Sequence, residues 1–393
     1  MTSKEQMKVP DYSTAAIALF DPRRLTLARE ARGLLKSELA EYVGTTKVTI
    51  GNYEAGKKRP SPGMIRQLAL ALQVPISFFA DLSGRSPEQP TAYFRSLRST
   101  TVRRRLQAKA AAAFAHELVI ALEQRVKLPE LTVPTLRLDD QASTEDIEQA
   151  AQQTRVALEA EKGPLGMLIR RIERLGIVVI RLSVESTGID AFSVPYVDRP
   201  VMVLGSDTDA FDRYRWNAAH ELGHLVIHGQ LETEPNKQQE AQANLFAQAL
   251  LMPTKDIRFA LPRHVDWTAL LALKRDWGVP IAALIEKAHR LSMLSDSQRT
   301  NAYKVMSRRG WRKKEPVDLG TTEPPSLLAL AVSTVMEVDH IGLDKVAELA
   351  RLSIKDIEKL LERATDNRPV INLFLDKESS EESPHEKLDR QLG

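Results

Sequence analysis

Residues 216–224 read Trp216-Asn217-Ala218-Ala219-His220-Glu221-Leu222-Gly223-His224. The stretch has helical character, and on a helix positions i and i+4 share one face, so His220 and His224 can offer imidazole nitrogens to a single ion. Glu221 lies between them, placed to deprotonate a water that the ion acidifies. A third ligand must come from elsewhere. His228 continues the series at i+8, but at 1.5 Å rise per residue it lies roughly 12 Å along the axis from His220, so it is expected to be a packed or capping residue. A histidine six residues beyond His224 would complete a three-histidine site, yet position 230 is Gln230. Glu240 remains. It opens a second helical stretch, Glu240-Ala241-Gln242-Ala243-Asn244-Leu245-Phe246-Ala247, in which Asn244 shares its face and is expected to orient a histidine from behind its ligating nitrogen.

Upstream, residues 164–174 read as helix and 175–184 (LGIVVIRLSV) as an apolar, β-branched strand. Asp190–Tyr196 and Pro200–Leu204 are two further strand segments, giving a small sheet. Pro200–Leu204, just before the motif helix, is read as an edge to which an extended peptide could add as another strand. His228, Tyr214 and Arg213 are the residues considered as oxyanion stabilisers. Downstream, 266–295 forms amphipathic helices in which Trp267 and Trp277 are packing residues. Residues 343–362 have the rhythm of two helices and a turn, but Asp344, Glu348, Asp356, Glu358 and Glu362 make them unsuited to phosphate, so the segment is read as a packing or dimerisation element.

The chain has no cysteine, which excludes disulfides, thiolate metal sites and a cysteine nucleophile, and leaves His and carboxylates to bind any metal. No stretch approaches the roughly 18 apolar residues of a membrane span, and the N-terminus lacks a signal-like apolar run, so a cytoplasmic location without membrane association is expected. At 393 residues, two or more domains are expected. Charge divides the chain accordingly. Residues 1–110 hold 19 Lys and Arg against 9 Asp and Glu, whereas the remainder holds 36 against 43. A basic end on an acidic body is the pattern of a nucleic-acid-binding module joined to something else.

Within the basic end, Leu35–Pro60 reads LKSELAEYVGTTKVTIGNYEAGKKRP. Leu39, Ala40 and Val43 fall on one helical face, Gly44 suits a turn that needs positive φ, and Thr45-Thr46 offers a cap for a second helix over about 46–55. That helix would bury Ile50 and Tyr53 and turn Lys47, Val48, Gly51 and Asn52 outward, the layout of a recognition helix. Asn52 suits adenine, Lys47 guanine and Val48 a thymine methyl, with Lys36, Thr46, Lys57 and Arg59 on phosphates. Arg32-Gly33, Glu38-Leu39-Ala40, Gly44, Ile50-x-x-Tyr53-Glu54-x-Gly56 and Arg59-Pro60 resemble the Xre-type helix-turn-helix family over roughly residues 22–82. The family commonly has Gln where this chain has Lys36.

H-E-L-G-H followed by E-x-x-A-N-x-F-A-x-x-L-L-M-P, ending at Pro253, resembles the ImmA/IrrE family of zincin-like metallopeptidases over roughly 165–295. The resemblance implies that His220, His224 and Glu240 bind Zn2+ and that Glu221 is the catalytic base of peptide hydrolysis. Tyr93-Phe94-Arg95-Ser96-Leu97-Arg98 is similar to the join between such a domain and an Xre-type module. The expected fold is multidomain and mainly α: a flexible arm at 1–20, an all-α helix-turn-helix domain at 21–82, a linker with connecting helices at 83–163 that include a long helix near 100–127, an α+β zincin-like domain with a small sheet at 164–295, a C-terminal helical region at 296–375 and a charged tail at 376–393. The expected function is that of a homodimeric transcriptional regulator that binds operator DNA and hydrolyses a peptide bond in a partner regulator, an antitoxin or itself. The alternative is a transcription factor whose zincin-like domain is a non-proteolytic ligand or metal sensor.

Overall fold

A computed structural model describes residues 19–80, 101–182, 190–205, 210–229 and 235–361. Nearly all of the expected arm, the linker segments Ser83–Pro90 and Tyr93–Arg98, position 230 and the charged tail lie outside the described residues. What is described is mainly helical with one small sheet, the expected class.

Helices α1 (Pro22–Ala31), α2 (Lys36–Tyr42), α3 (Lys47–Glu54) and α4 (Pro62–Leu72) form the N-terminal domain, closed by a 3-10 turn at Ile76–Phe79. Their ends follow from sequence. The Asp21 carboxylate accepts from the Arg23 N–H at 2.9 Å, and Pro22 supplies the fixed φ of the first turn. Gly44 takes φ 62° between α2 and α3, a conformation that costs a side-chain-bearing residue but not glycine. Thr46 caps α3, its hydroxyl accepting from the Thr49 N–H at 3.1 Å. Ile50 and Tyr53 point into the core, as the spacing requires.

The long helix α5 (Val102–Glu123) lies against α1, where Arg24 grips Glu117 with two bonds of 2.7 and 2.9 Å. After it come α6 (Thr144–Ala157), α7 (Leu168–Arg174), β1 (Val178–Arg181), β2 (Ala191–Val194), β3 (Val201–Leu204) and α8 (Phe211–Gly223). A π-helical turn, His224–His228, continues α8, and α9 (Lys237–Leu251) follows it. The chain goes on through α10 (Thr254–Ile257), α11 (Trp267–Trp277), α12 (Ile281–Arg290) and α13 (Asp296–Arg308) to α14 (Leu327–Val338), α15 (Leu343–Ala350) and α16 (Ile354–Leu361). No described helix is long and apolar enough to cross a membrane.

The sheet order is β1-β3-β2, with β3 parallel to β1 and antiparallel to β2. The expectation that Pro200–Leu204 forms an edge is therefore wrong: among the described residues β3 lies between β1 and β2. All four β3 residues are buried, which suits a run of apolar side chains (VMVL) with neighbours on every side. The sheet divides two cores. Val178, Ile180, Phe192, Val194, Val201 and Val203 face a core shared with α1–α5 and α14–α16, whereas Val179, Ala191, Met202 and Leu204 face the core of α6–α13.

Two segments outside the motifs contribute to these cores. Helix α6, expected among connecting elements, buries Ile147, Ala150 and Ala151 in the second core. The 343–362 segment serves packing: Val346, Ala350, Ile357 and Leu360 are buried in the first core, and Asp356 receives two bonds of 2.8 Å from Arg32 at the end of α1. The C-terminal helices are fastened to the sheet side by reciprocal caps. Glu173 of α7 accepts from the Ser326 and Leu327 N–H groups at 2.9 Å each, while Glu323 accepts from Ile169 and Arg170 at 3.0 and 2.9 Å.

Candidate metal centre

The site depends on how closely α8 and α9 cross. A Cβ at Gly223 would lie 2.9 Å from Phe246 Cδ1, so only glycine lets the two helices approach this far. That approach brings Glu240, in the first turn of α9, against the histidine face of α8.

The Nε2 atoms of His220 and His224 are 3.2 Å apart, and the Glu240 carboxylate oxygens lie 3.5 Å from His220 Nε2 and 3.6 Å from His224 Nε2. Among the described residues these three form the group able to hold a metal ion. Tetrahedral donors about 2.0–2.1 Å from one ion sit roughly 3.3 Å from each other, so the three separations fit such an ion. Burial pushes the His224 imidazole down to about 4, which keeps it neutral and able to ligate. Burial also opposes ionisation of Glu240, but the two imidazoles outweigh it and hold the carboxyl down to about 2, so this member of the group is an anion.

Glu221 is buried on the same helix and accepts a 2.8 Å hydrogen bond from the Ser193 hydroxyl. Ser193 comes from strand β2, opposite Met202. No motif marks it. The one trace in the sequence is a polar residue inside the apolar strand Ala191-Phe192-Ser193-Val194.

Asn244 does not take its expected role. Its amide donates to the Glu240 carbonyl at 2.8 Å, a bond within its own helix, so its side chain is occupied one turn back and not behind a histidine. The residue behind His224 is His228, whose Nδ1 lies 2.9 Å from Nδ1 of His224. It is packed, as the helix-rise argument requires, but against His224 itself. Of the other residues considered for an oxyanion, Arg213 donates to the Arg312 carbonyl at 2.7 Å, and Tyr214 is buried with the Arg181 guanidinium 5.3 Å from its ring centre.

In the N-terminal domain, Lys47 and Val48 are exposed on α3, Asn52 is half-buried on the same helix, and Lys57 and Arg59 are exposed in the loop beyond. The Thr46 hydroxyl is engaged in the cap and lies 3.0 Å from that of Thr49. Lys36 turns to Glu54 at 3.0 Å, a carboxylate that Arg29 also holds at 2.5 Å.

Comparison with family models matches residues 25–79 to the helix-turn-helix family and residues 172–290 to the peptidase family described as IrrE N-terminal-like domain. Among curated proteins, none matches the chain. The first match spans α1 to the 3-10 turn, and the second contains His220, Glu221, His224 and Glu240, so one polypeptide joins an Xre-type helix-turn-helix domain to an ImmA/IrrE-type zincin-like domain.

Proposed function

We propose that the chain is a DNA-binding transcriptional regulator whose second domain is a zinc-dependent endopeptidase, acting on a peptide bond in a partner regulator, an antitoxin or the chain itself. The observation that carries the reading is the convergence of His220, His224 and Glu240, with a buried Glu221 next to His220 on α8. A metal sensor needs the three ligands but has no use for a general base beside them.

His220, His224 and Glu240 would hold zinc. The ion, when bound, supplies Lewis acidity that polarises a scissile carbonyl and makes water acidic near neutral pH. Glu221 takes the proton from the attacking water on its carboxylate and returns it to the leaving amine. Ser193 holds one oxygen of that carboxylate at 2.8 Å, fixing the direction from which the base works. At the other end, Lys47, Val48 and Asn52 of α3 would read base edges in a major groove, while Lys57, Arg59, Thr46 and Lys36 would meet phosphates. A homodimer would place two such helices on half-sites of one operator.

Elemental analysis of the purified chain and of His220→Ala, followed by incubation of wild type and Glu221→Gln with candidate partner regulators, tests the reading. Zinc near one per chain that is lost in His220→Ala, with cleavage lost in Glu221→Gln while its zinc stays, is the expected result. Zinc retained in wild type with no cleavage of any partner or of the chain itself would favour the sensor.

A further inference from the structure

A chain of hydrogen bonds runs away from the metal centre, and its polarity can be read from its far end. The Gln242 side-chain amide lies 2.7 Å from the Asp139 backbone carbonyl. A carbonyl only accepts, so the amide nitrogen must face it, and the amide oxygen must face the other neighbour, His228 Nε2, at 3.0 Å. An oxygen there requires a proton on His228 Nε2. A neutral imidazole carries one proton, so His228 Nδ1 is left as an acceptor, and the atom 2.9 Å from it, His224 Nδ1, must donate. That fixes the remaining proton of His224. Its Nε2 bears a lone pair, aimed at His220 and Glu240. Both rings are buried, at 0% and 7% exposed, where the neutral form is favoured.

We infer that His228 and Gln242 are positioning residues for the metal centre: together with the Asp139 carbonyl they fix the tautomer and ring orientation of His224, so that its Nε2 is the ligating nitrogen. The inference rests on the zinc-site reading above. Two features of the fold make the arrangement specific. The π-helical turn His224–His228 replaces regular α-helix where both rings stand, the kind of local departure that recurs at functional sites. Backbone carbonyls within that turn are taken up from outside it: Val226 and Ile227 accept from the Leu136 and Leu138 N–H groups at 2.9 and 2.8 Å. The same extended segment then delivers the Asp139 carbonyl to Gln242. One strand of chain thus secures both the turn that carries the two histidines and the acceptor that polarises them. Outer partners of this kind typically change metal affinity by about 10–100-fold when removed.

The test uses the full chain and zinc alone. Zinc affinity is measured by competition with a chromophoric chelator, and the histidine tautomers of the metal-free protein by long-range proton–nitrogen NMR with labelled histidine. Wild type is expected to show His224 protonated on Nδ1. His228→Ala and Gln242→Leu should each weaken zinc binding by about 10–100-fold, while His228→Asn, whose amide oxygen can stand where Nδ1 was, should recover most of the loss. Circular dichroism shows whether each variant is folded. A folded His228→Ala that binds zinc like wild type would overturn the inference, as would a wild-type His224 protonated on Nε2. If wild type takes no zinc at all, the zinc reading fails, and the tautomer measurement alone then decides whether the relay has this polarity.

Discussion

The Ser193 hydroxyl donates to the Glu221 carboxylate at 2.8 Å, and both side chains are buried. Ser193 belongs to strand β2 and Glu221 to the helix that carries the histidines, so this bond ties the proposed general base to the sheet. A hydrogen bond to a charged group contributes about 1.5–3 kcal/mol, roughly 10–100-fold in a rate if it acts in the transition state. Ser193→Ala is expected to keep its zinc and to cleave at least roughly tenfold more slowly. Elemental analysis and the rate at which fragments of a cleaved partner appear are the two readings. A wild-type rate would separate Ser193 from the base's work.

Gly223 allows α8 and α9 to meet, and a methyl added there would stand 2.9 Å from Phe246 Cδ1. Overpacking of a close-packed interior costs about 1–3 kcal/mol. Gly223→Ala should lower the thermal midpoint and, by moving α9, draw Glu240 away from the two imidazoles and weaken zinc binding. Trimming the opposing ring in Gly223→Ala/Phe246→Leu should restore part of the metal affinity. A single variant with unchanged midpoint and unchanged affinity would show that the helices accommodate the methyl without moving.

Protonation of the metal-free site couples to stability with a definite sign. Burial holds the His224 imidazole near 4 in the folded chain, against an ordinary value of 6.5. Below 6.5 the unfolded chain takes up a proton that folded His224 refuses until about 4, so its contribution is steady above that window and falls as pH drops through it. Glu240, held at about 2 by the histidines against an ordinary value of 4.5, adds a loss in the same direction at lower pH. Urea unfolding of the metal-free protein at about pH 7.5 and about pH 5 should therefore show a decline attributable to His224 of about 2 kcal/mol, one that is absent in His224→Asn. Equal declines in both proteins would place the dependence elsewhere.

The elements that could be read from the sequence were those whose signal is local. The i, i+4 spacing of His220 and His224, the Thr46 cap, the Gly44 turn and the apolar strands each announce themselves within a few residues. Glu240 was accessible because its helix repeats the face logic of the first. The order of the strands was not, since three short apolar runs leave open which one lies between the others. Ser193 and the His228–Gln242–Asp139 chain were hidden for a related reason: each partner is ordinary in its own segment, and the role arises from contact across 28 residues in one case and 103 in another. Asn244 is the converse. Its spacing from Glu240 suggested a role, but the same i, i+4 geometry gave its amide a carbonyl on its own helix first.

Lys47 and Val48 project from the exposed face of α3, with Asn52 half-buried on the same helix and Lys57 just beyond it. If α3 enters a major groove, these residues differ in what they contribute. An asparagine that bonds adenine on two atoms discriminates by about 1–3 kcal/mol, while a lysine on a phosphate contributes mainly through counterion release. Asn52→Ala should therefore weaken binding to an operator selected from random duplexes about 10-fold or more and relax preference at one position, whereas Lys57→Ala should weaken all sequences alike and reduce the salt slope by about one. Fluorescence anisotropy across a salt series separates the two effects, and zinc content should be unchanged in both variants because the metal centre lies in the other core. Lys36 is the internal control. Its ammonium already meets Glu54 at 3.0 Å, so Lys36→Ala should change the salt slope less than Lys57→Ala. Equal slopes for Lys57→Ala and wild type, together with full operator affinity in Asn52→Ala, would remove α3 from the DNA interface.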